Sequence, residues 1–180
     1  MNGAYMAKTK TIVIADAGPI IHLDELNSLN LLTGCDKIII PETVWHEVQH
    51  HRPQALHHTA DLAFVRQSAL HFSAQVDALT PLYTLHAGEQ EALHLCFEFK
   101  NSLLLTDDTA ARLAAKNLGV AAHGTLGILV RAIRQQTRSK AEVLELLRAI
   151  PTQTTLHIRA SLLAEVIREV EKNTTNDKQQ

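Results

Sequence analysis

Aromatic side chains are scarce in this 180-residue chain: one Trp, two Tyr and four Phe. A core must therefore be filled by Leu, Ile, Val and Ala. Cysteine is rarer still. Cys35 and Cys96 stand beside apolar sequence and neither belongs to a CxxC pair, which leaves no disulfide framework and fits free thiols in a reducing compartment. No stretch reaches the length of a membrane span. The apolar run after Lys10 meets Asp16 too early for the core of a signal peptide, so the expected location is the cytoplasm. An excess of positive charge is also missing. Seventeen Lys and Arg against nineteen Asp and Glu give a net charge of −2. That does not advertise a nucleic-acid binder, which usually carries a basic face, and it does not exclude an enzyme that meets RNA locally around a metal. No internal repeat is visible.

What the chain does have is an ordinary globular balance, 46% apolar and 20% charged, at a length that suits one domain and a real core. Charge is uneven in one place. Arg131, Arg134, Arg138 and Lys140 fall together without an acid, as a solvated helix end or a phosphate-contacting patch. Short apolar runs alternate with helical patterns. Thr11 to Ala15, Lys37 to Ile40, Leu103 to Leu105 and Val120 to Ala122 read as strands. Helices are predicted over Ile20 to Leu32, Glu42 to His50 with Thr43 as its cap, Gly88 to Phe99, Thr109 to Leu118, Thr125 to Gln136, Lys140 to Ile150 and Ser161 to Val170. Pro53, Pro81 and mixed patterning suggest helices with a loop across residues 52–86. Gly119 stops one helix and Pro151 marks a break. This order predicts an α/β sandwich with a mostly parallel sheet. A domain over residues 11–150 would carry a helical appendage at 151–172, with residues 1–10 and 173–180 flexible. The last helix has an apolar stripe of Leu162, Leu163, Val166, Ile167 and Val170, to be covered by its own domain or by another chain.

The acids stand where such a sheet binds ligands, beyond the carboxyl ends of its strands. Asp16 closes the first strand, and Asp107 with Asp108 closes the third. Glu47 lies in the helix after the second strand. Glu89 and Glu91 open the helix that begins at Gly88, and they lie about 200° apart around it. Plainer roles exist: a turn for Asp16, and helix starts for Glu89, Glu91 and one of the Asp pair. Carboxylates crowded at one edge need a cation to coexist. Oxygen-only ligands favour Mg²⁺ or Mn²⁺, and phosphodiester hydrolysis is the chemistry that follows.

The segments TIVIADAGPIIHL, IIIPETVWHEV, HAGEQEALHL, LLLTDDTAARLA and VAAHGTLGILVRA, in this order from Thr11 to Ile133, resemble the PIN-domain family. The likeness is to its bacterial and archaeal members, found as the toxins of toxin–antitoxin pairs and as related proteins without an assigned role. The resemblance implies a PIN-like three-layer sandwich and a catalytic set of Asp16, Glu47, Glu89 or Glu91, and Asp108. Asp107 would be a further or alternate metal ligand, and Thr106 a hydrogen-bonding neighbour. It also implies a Mg²⁺- or Mn²⁺-dependent endoribonuclease, a homodimer and a small antitoxin partner. The chain departs from the family at Gly18, where many members carry Ser or Thr.

One motif competes. His46 to His50 reads HEVQH, which satisfies the HExxH pattern of zinc peptidases. With eleven histidines in the chain, chance matches are common, and no third zinc ligand is signalled downstream. His51, His57 and His58 extend a His-rich surface that could bind Zn²⁺ or Ni²⁺ incidentally. A binding module without catalysis is the alternative function from another class.

Overall fold

The computed structural model describes residues 11–57, 62 and 64–172. Five strands form one all-parallel sheet: β1 (Ile12–Ala15), β2 (Lys37–Pro41), β3 (Phe64–Gln67), β4 (Leu103–Leu105) and β5 (Ala121–His123), in the order β3-β2-β1-β4-β5. The central strands are apolar on both faces because both faces are covered. Val13, Ala15, Ile38, Ile40, Leu103 and Leu105 point to one core, and Ile14, Ile39 and Leu104 to the other.

The first core is covered by α1 (Ala17–Glu25), α2 (Glu42–His51), α6 (Thr125–Arg134), α7 (Lys140–Gln153) and α8 (Ala160–Lys172). The second is covered by α3 (Ala74–Tyr83), α4 (Ala87–Glu98) and α5 (Thr109–Asn117). The result is the three-layer sandwich expected from the alternating pattern. On α4, the inner residues Ala92, Leu93, Leu95 and Cys96 are all buried. Gly88 opens that helix against α2, where an added Cβ would come within 3.0 Å of Val44 Cγ2.

Four local expectations need correction. Residues 52–86 are not all helix and loop. Pro53–Leu56 form a 3-10 turn, and Phe64–Gln67 pair with β2 as an edge strand. Only α3 fits the helical reading, so the short strand at Ala121 is the fifth strand rather than the fourth. The first helix starts at Ala17, directly under Asp16, and ends at Glu25 because Asn27 turns left-handed at φ 49°. A separate 3-10 turn follows over Leu29–Leu32. Thr43 is not the cap of α2; Pro41 holds that position and Thr43 lies inside the helix. Pro151 does not stop α7. The helix runs on to Gln153, and its end is closed by the Thr154 N–H (3.1 Å) and Thr154 Oγ1–H (2.8 Å), both donated to the Ile150 carbonyl.

The chain then runs extended to α8, which turns back onto α7. Leu163 and Val170 are buried there, and Arg148 Nη2 reaches Glu171 Oε1 at 2.7 Å. The apolar stripe is thus covered in part within the chain: Val166 and Ile167 are half-buried, and Leu162 is 37% exposed. Gly119 ends α5 at φ +70°, a conformation in which a side chain would be strained. The expected flexible ends and His58 lie outside the described residues. Among the described residues no helix is long and apolar enough to cross a membrane.

Candidate functional site

After β1 the chain winds outward through β2 and β3. It then returns to the other side of β1 for β4 and β5. The helices that follow β1 and β4 leave on opposite faces, so a crevice opens between the carboxyl ends of these two strands. Open parallel sheets bind ligands at this position.

Asp16 sits at the floor of the crevice. Its backbone N–H still pairs with the Leu105 carbonyl at 2.8 Å, so its position is set by the sheet. Oδ1 accepts from Ala17 N at 2.8 Å, and Oδ2 accepts from Thr106 Oγ1 at 2.8 Å. Burial pushes the carboxyl above its ordinary pKa. The bonds from Thr106 and Ala17 pull the other way, and the charges of Glu47 and Asp108 push it further up.

Asp108 caps α5, with Oδ1 accepting from Ala111 N at 2.7 Å, and its own N–H donates to Thr106 Oγ1 at 3.2 Å. Thr106 therefore links the two strand ends: its hydroxyl donates to Asp16 and accepts from Asp108. This places the expected hydroxyl neighbour, and with Gly18 lacking a side chain it is Thr106 that serves Asp16. A Cβ at Gly18 would meet His22 Cε1 at 3.4 Å and Asp107 Oδ2 at 3.7 Å, ordinary contacts, so packing does not demand glycine there.

Glu89 and Glu91 separate as their spacing on a helix requires. Glu89 is 9% exposed, and its Oε2 accepts from His86 N at 2.7 Å at the start of α4. Its carboxyl is raised first by burial, against the His86 hydrogen bond, and then by the charges of Asp108 and Asp16. The plainer role of closing a helix start is therefore real, and the same carboxyl also faces the crevice. Glu91 turns to α2, where Oε2 accepts from Thr43 N at 2.9 Å. Glu47, exposed on α2, contributes its charge to Asp16. Charge thus links Asp16, Glu47, Glu89 and Asp108, while Glu91 is tied by one oxygen to the start of α2.

Asp107 also has other work. Oδ1 accepts from Thr125 N at 2.7 Å. Oδ2 accepts from Thr125 Oγ1 at 2.6 Å and pairs with His22 Nδ1 at 2.8 Å. With both oxygens engaged, it joins the ends of β4 and β5 to α1 and to the first turn of α6, rather than opening to a ligand. Sequence reasoning missed His22, Gly124 and Thr125. The glycine was the available signal: a Cβ at Gly124 would sit 2.6 Å from Asp107 Oδ1 and 3.1 Å from the Thr106 carbonyl oxygen, so no side chain fits.

HEVQH is helical, as its motif needs, but its histidines are not turned to a common centre. His46 Nε2 lies 3.2 Å from Glu42 Oε1 and 3.1 Å from Arg66 Nη2. His50 stacks edge-on against His51 with ring centres 4.8 Å apart. Among the described residues no three His, Cys, Asp or Glu form a ready coordination sphere for a metal, at HEVQH or at the crevice. The crevice still has the right donors for a hard divalent cation: oxygen only, from β1, α2, α4 and the start of α5. Glu47 and Asp108 are exposed and can turn inward, and Asp16 and Glu89 carry charge that a cation would stabilise.

A family model described as a PIN domain matches residues 12–172, past the point at Ile133 where the motif resemblance ends and through α8. No curated protein matches the chain.

Proposed function

Because the chain belongs to the PIN-domain family, whose members are generally nucleases, we propose that it is a Mg²⁺- or Mn²⁺-dependent endoribonuclease, the toxin of a toxin–antitoxin pair. The observation that carries this reading is the set of four acids, Asp16, Glu47, Glu89 and Asp108, coupled by charge at the β1/β4 crevice. These residues would hold the cation. When bound, the cation polarises a phosphate oxygen and makes water a better nucleophile.

The chain's own groups then have distinct roles. Thr106 and the Ala17 N–H hold both oxygens of Asp16 in place, which fixes the floor of the site. Glu89 is tied at Oε2, which leaves Oε1 as the oxygen that could serve the crevice. Its raised pKa lets that oxygen keep a proton longer than an ordinary carboxyl as pH rises, which suits a group that gives or takes a proton at a phosphodiester. Glu47 and Asp108, the exposed members, can adjust to the substrate. A cytoplasmic homodimer held in check by a small antitoxin completes the proposal, on family likeness.

The separation of the acids favours one other reading, a PIN-like binding module without catalysis. One experiment distinguishes the two. Labelled structured RNAs and matched DNAs are incubated with Mn²⁺, with Mg²⁺ and with EDTA, using wild type and Asp16→Asn. Internal cleavage of RNA that needs the metal and vanishes in the variant supports the nuclease. No cleavage, together with no Mn²⁺ binding by calorimetry, leaves the binding module.

A further inference from the structure

From Thr109 to Ala141 the chain has no Asp or Glu and six Lys or Arg, in a molecule whose net charge is −2. The fold divides these six. Arg138 is held by Asn30 and lies near Glu142, and Lys140 Nζ donates to the Glu171 carbonyl at 2.6 Å. Arg112, Lys116 and Arg134 are exposed, and none of them, nor Arg131, has a carboxylate within salt-bridge distance among the described residues.

Arg112 and Lys116 lie along β5, the edge strand of the sheet, and Arg131 and Arg134 on α6 reach its last residue, His123, by charge. A groove of about 700 Å³ runs there between β5 and α5, lined by Thr109, Arg112, Lys116, Ala121, His123 and Gly124. No acid lines it. Arg131 and Arg134 extend the charge from α6. Burial, and after it the charges of Arg131, Arg134 and Arg112, hold the His123 imidazole below its ordinary pKa, which disfavours the charged ring at the groove. One end of the groove adjoins the acids. Thr109 directly follows Asp108, and a Cβ at Gly124 would lie 3.5 Å from Arg112 Nη1 and 2.6 Å from Asp107 Oδ1.

We propose that the β5–α5 groove is the track for a single nucleic-acid strand, gripped through its phosphates by Arg112 and Lys116 and led toward the carboxylate crevice. The inference rests on the nuclease reading for where the strand leads, and on charge and shape for the grip itself. A chain with no basic excess overall has placed two exposed cations without carboxylate partners, Arg112 and Lys116, in one groove that begins beside the acids. The opposite charge at the groove keeps a polyanion near a centre that would otherwise repel it. Contacts of this kind carry affinity and salt dependence rather than base sequence.

The test measures binding apart from chemistry. Anisotropy of a fluorescent single-stranded RNA about 20 nucleotides long, longer than such a groove needs, is followed in EDTA across a salt series. The proteins are wild type, Arg112→Gln/Lys116→Gln and Arg138→Gln. Each lost phosphate contact removes about 0.7 from the salt slope, so the double variant should lose about 1.4 and bind roughly 25-fold more weakly at 0.1 M salt. Arg138→Gln should match wild type. Thermal melting of all three checks folding, and both substituted groove residues are exposed. In parallel, Mn²⁺-dependent hydrolysis of bis-p-nitrophenyl phosphate by wild type and by Arg138→Gln, a substrate too short to span the groove, reads the carboxylate centre by itself. If wild type hydrolyses nothing, the nuclease reading fails while the anisotropy still decides the groove. Equal affinity and salt slope in wild type and double variant overturn the proposal. So does a change in molar mass by light scattering with RNA affinity unaltered, which would make the β5 edge an interface between copies.

Discussion

Replacing Asp16 with Asn should abolish metal-dependent activity and, in EDTA, make the protein more stable. The carboxyl is raised in the folded state, by burial first and then by Glu47 and Asp108, despite two hydrogen bonds that favour its charge. Its anion is therefore a net cost to the metal-free fold. Asn keeps the shape and an oxygen for Ala17 N–H. It loses the charge-assisted bond from Thr106, which must turn to accept from the amide, a loss of about 1 kcal/mol that is smaller than the relief of a buried, repelled charge. Substitutions that relax a functional site in this way stabilise by about 0.5–2 kcal/mol, which for a chain of this size is a rise in Tm of roughly 1–8 °C. The pH dependence has a definite sign. A raised acid binds more protons folded than unfolded, so wild-type stability falls as pH rises from the unfolded value near 3.8 through the higher folded value. The variant lacks this loss. The gap in Tm should be full above the folded pKa and should close below the unfolded one. Saturating Mn²⁺ should reverse the order, since a ligand at about a hundred times its Kd adds about 2.7 kcal/mol to wild type alone. The assay is thermal melting of both proteins across pH, with EDTA and with Mn²⁺. A variant that melts below wild type in EDTA at neutral pH would refute the argument and make Asp16 a structural turn residue.

Glu89→Gln should lower Mn²⁺-dependent cleavage by about a hundredfold or more, as loss of a proton-transferring or cation-holding group does. Glu91→Gln should leave cleavage within about threefold and cost at most about 1 kcal/mol through its contact with Thr43 N; equal losses of activity would mean that Glu91 also reaches the crevice. For Asp107→Ala the expected effect is on stability, because Thr125 and His22 lose their partner together: about 2–4 kcal/mol, or a fall in Tm of roughly 5–15 °C. Asp107→Asn, which keeps an acceptor for Thr125 N–H, should melt closer to wild type and retain cleavage within about tenfold at low temperature. A hundredfold loss in that variant would make Asp107 a cation ligand.

The sequence by itself determined the α/β class and the edge of the sheet where the acids lie. Runs such as TIVIA and KIII are apolar at every position, which only a strand covered on both faces can bury. An acid directly after such a run has nowhere to go but the mouth of the sheet. The helical spacing of Glu89 and Glu91 also required that only one of them face any given centre. Which one did not follow from local pattern, because it depends on how α4 is rotated against α2, and that is set by Gly88 packing on Val44. The division of labour between Asp107 and Asp108 was equally hidden. Two adjacent acids after one strand are equivalent in sequence. They differ because Thr125 and His22, 18 and 85 positions away, converge on Asp107 and leave Asp108 exposed at the head of α5. The strand at Phe64 was missed for a related reason: three half-exposed residues and an exposed Arg66, with no periodicity, become a strand only when the edge of β2 is there to pair with them. Local pattern records what a residue must bury, and tertiary packing decides which partner it meets.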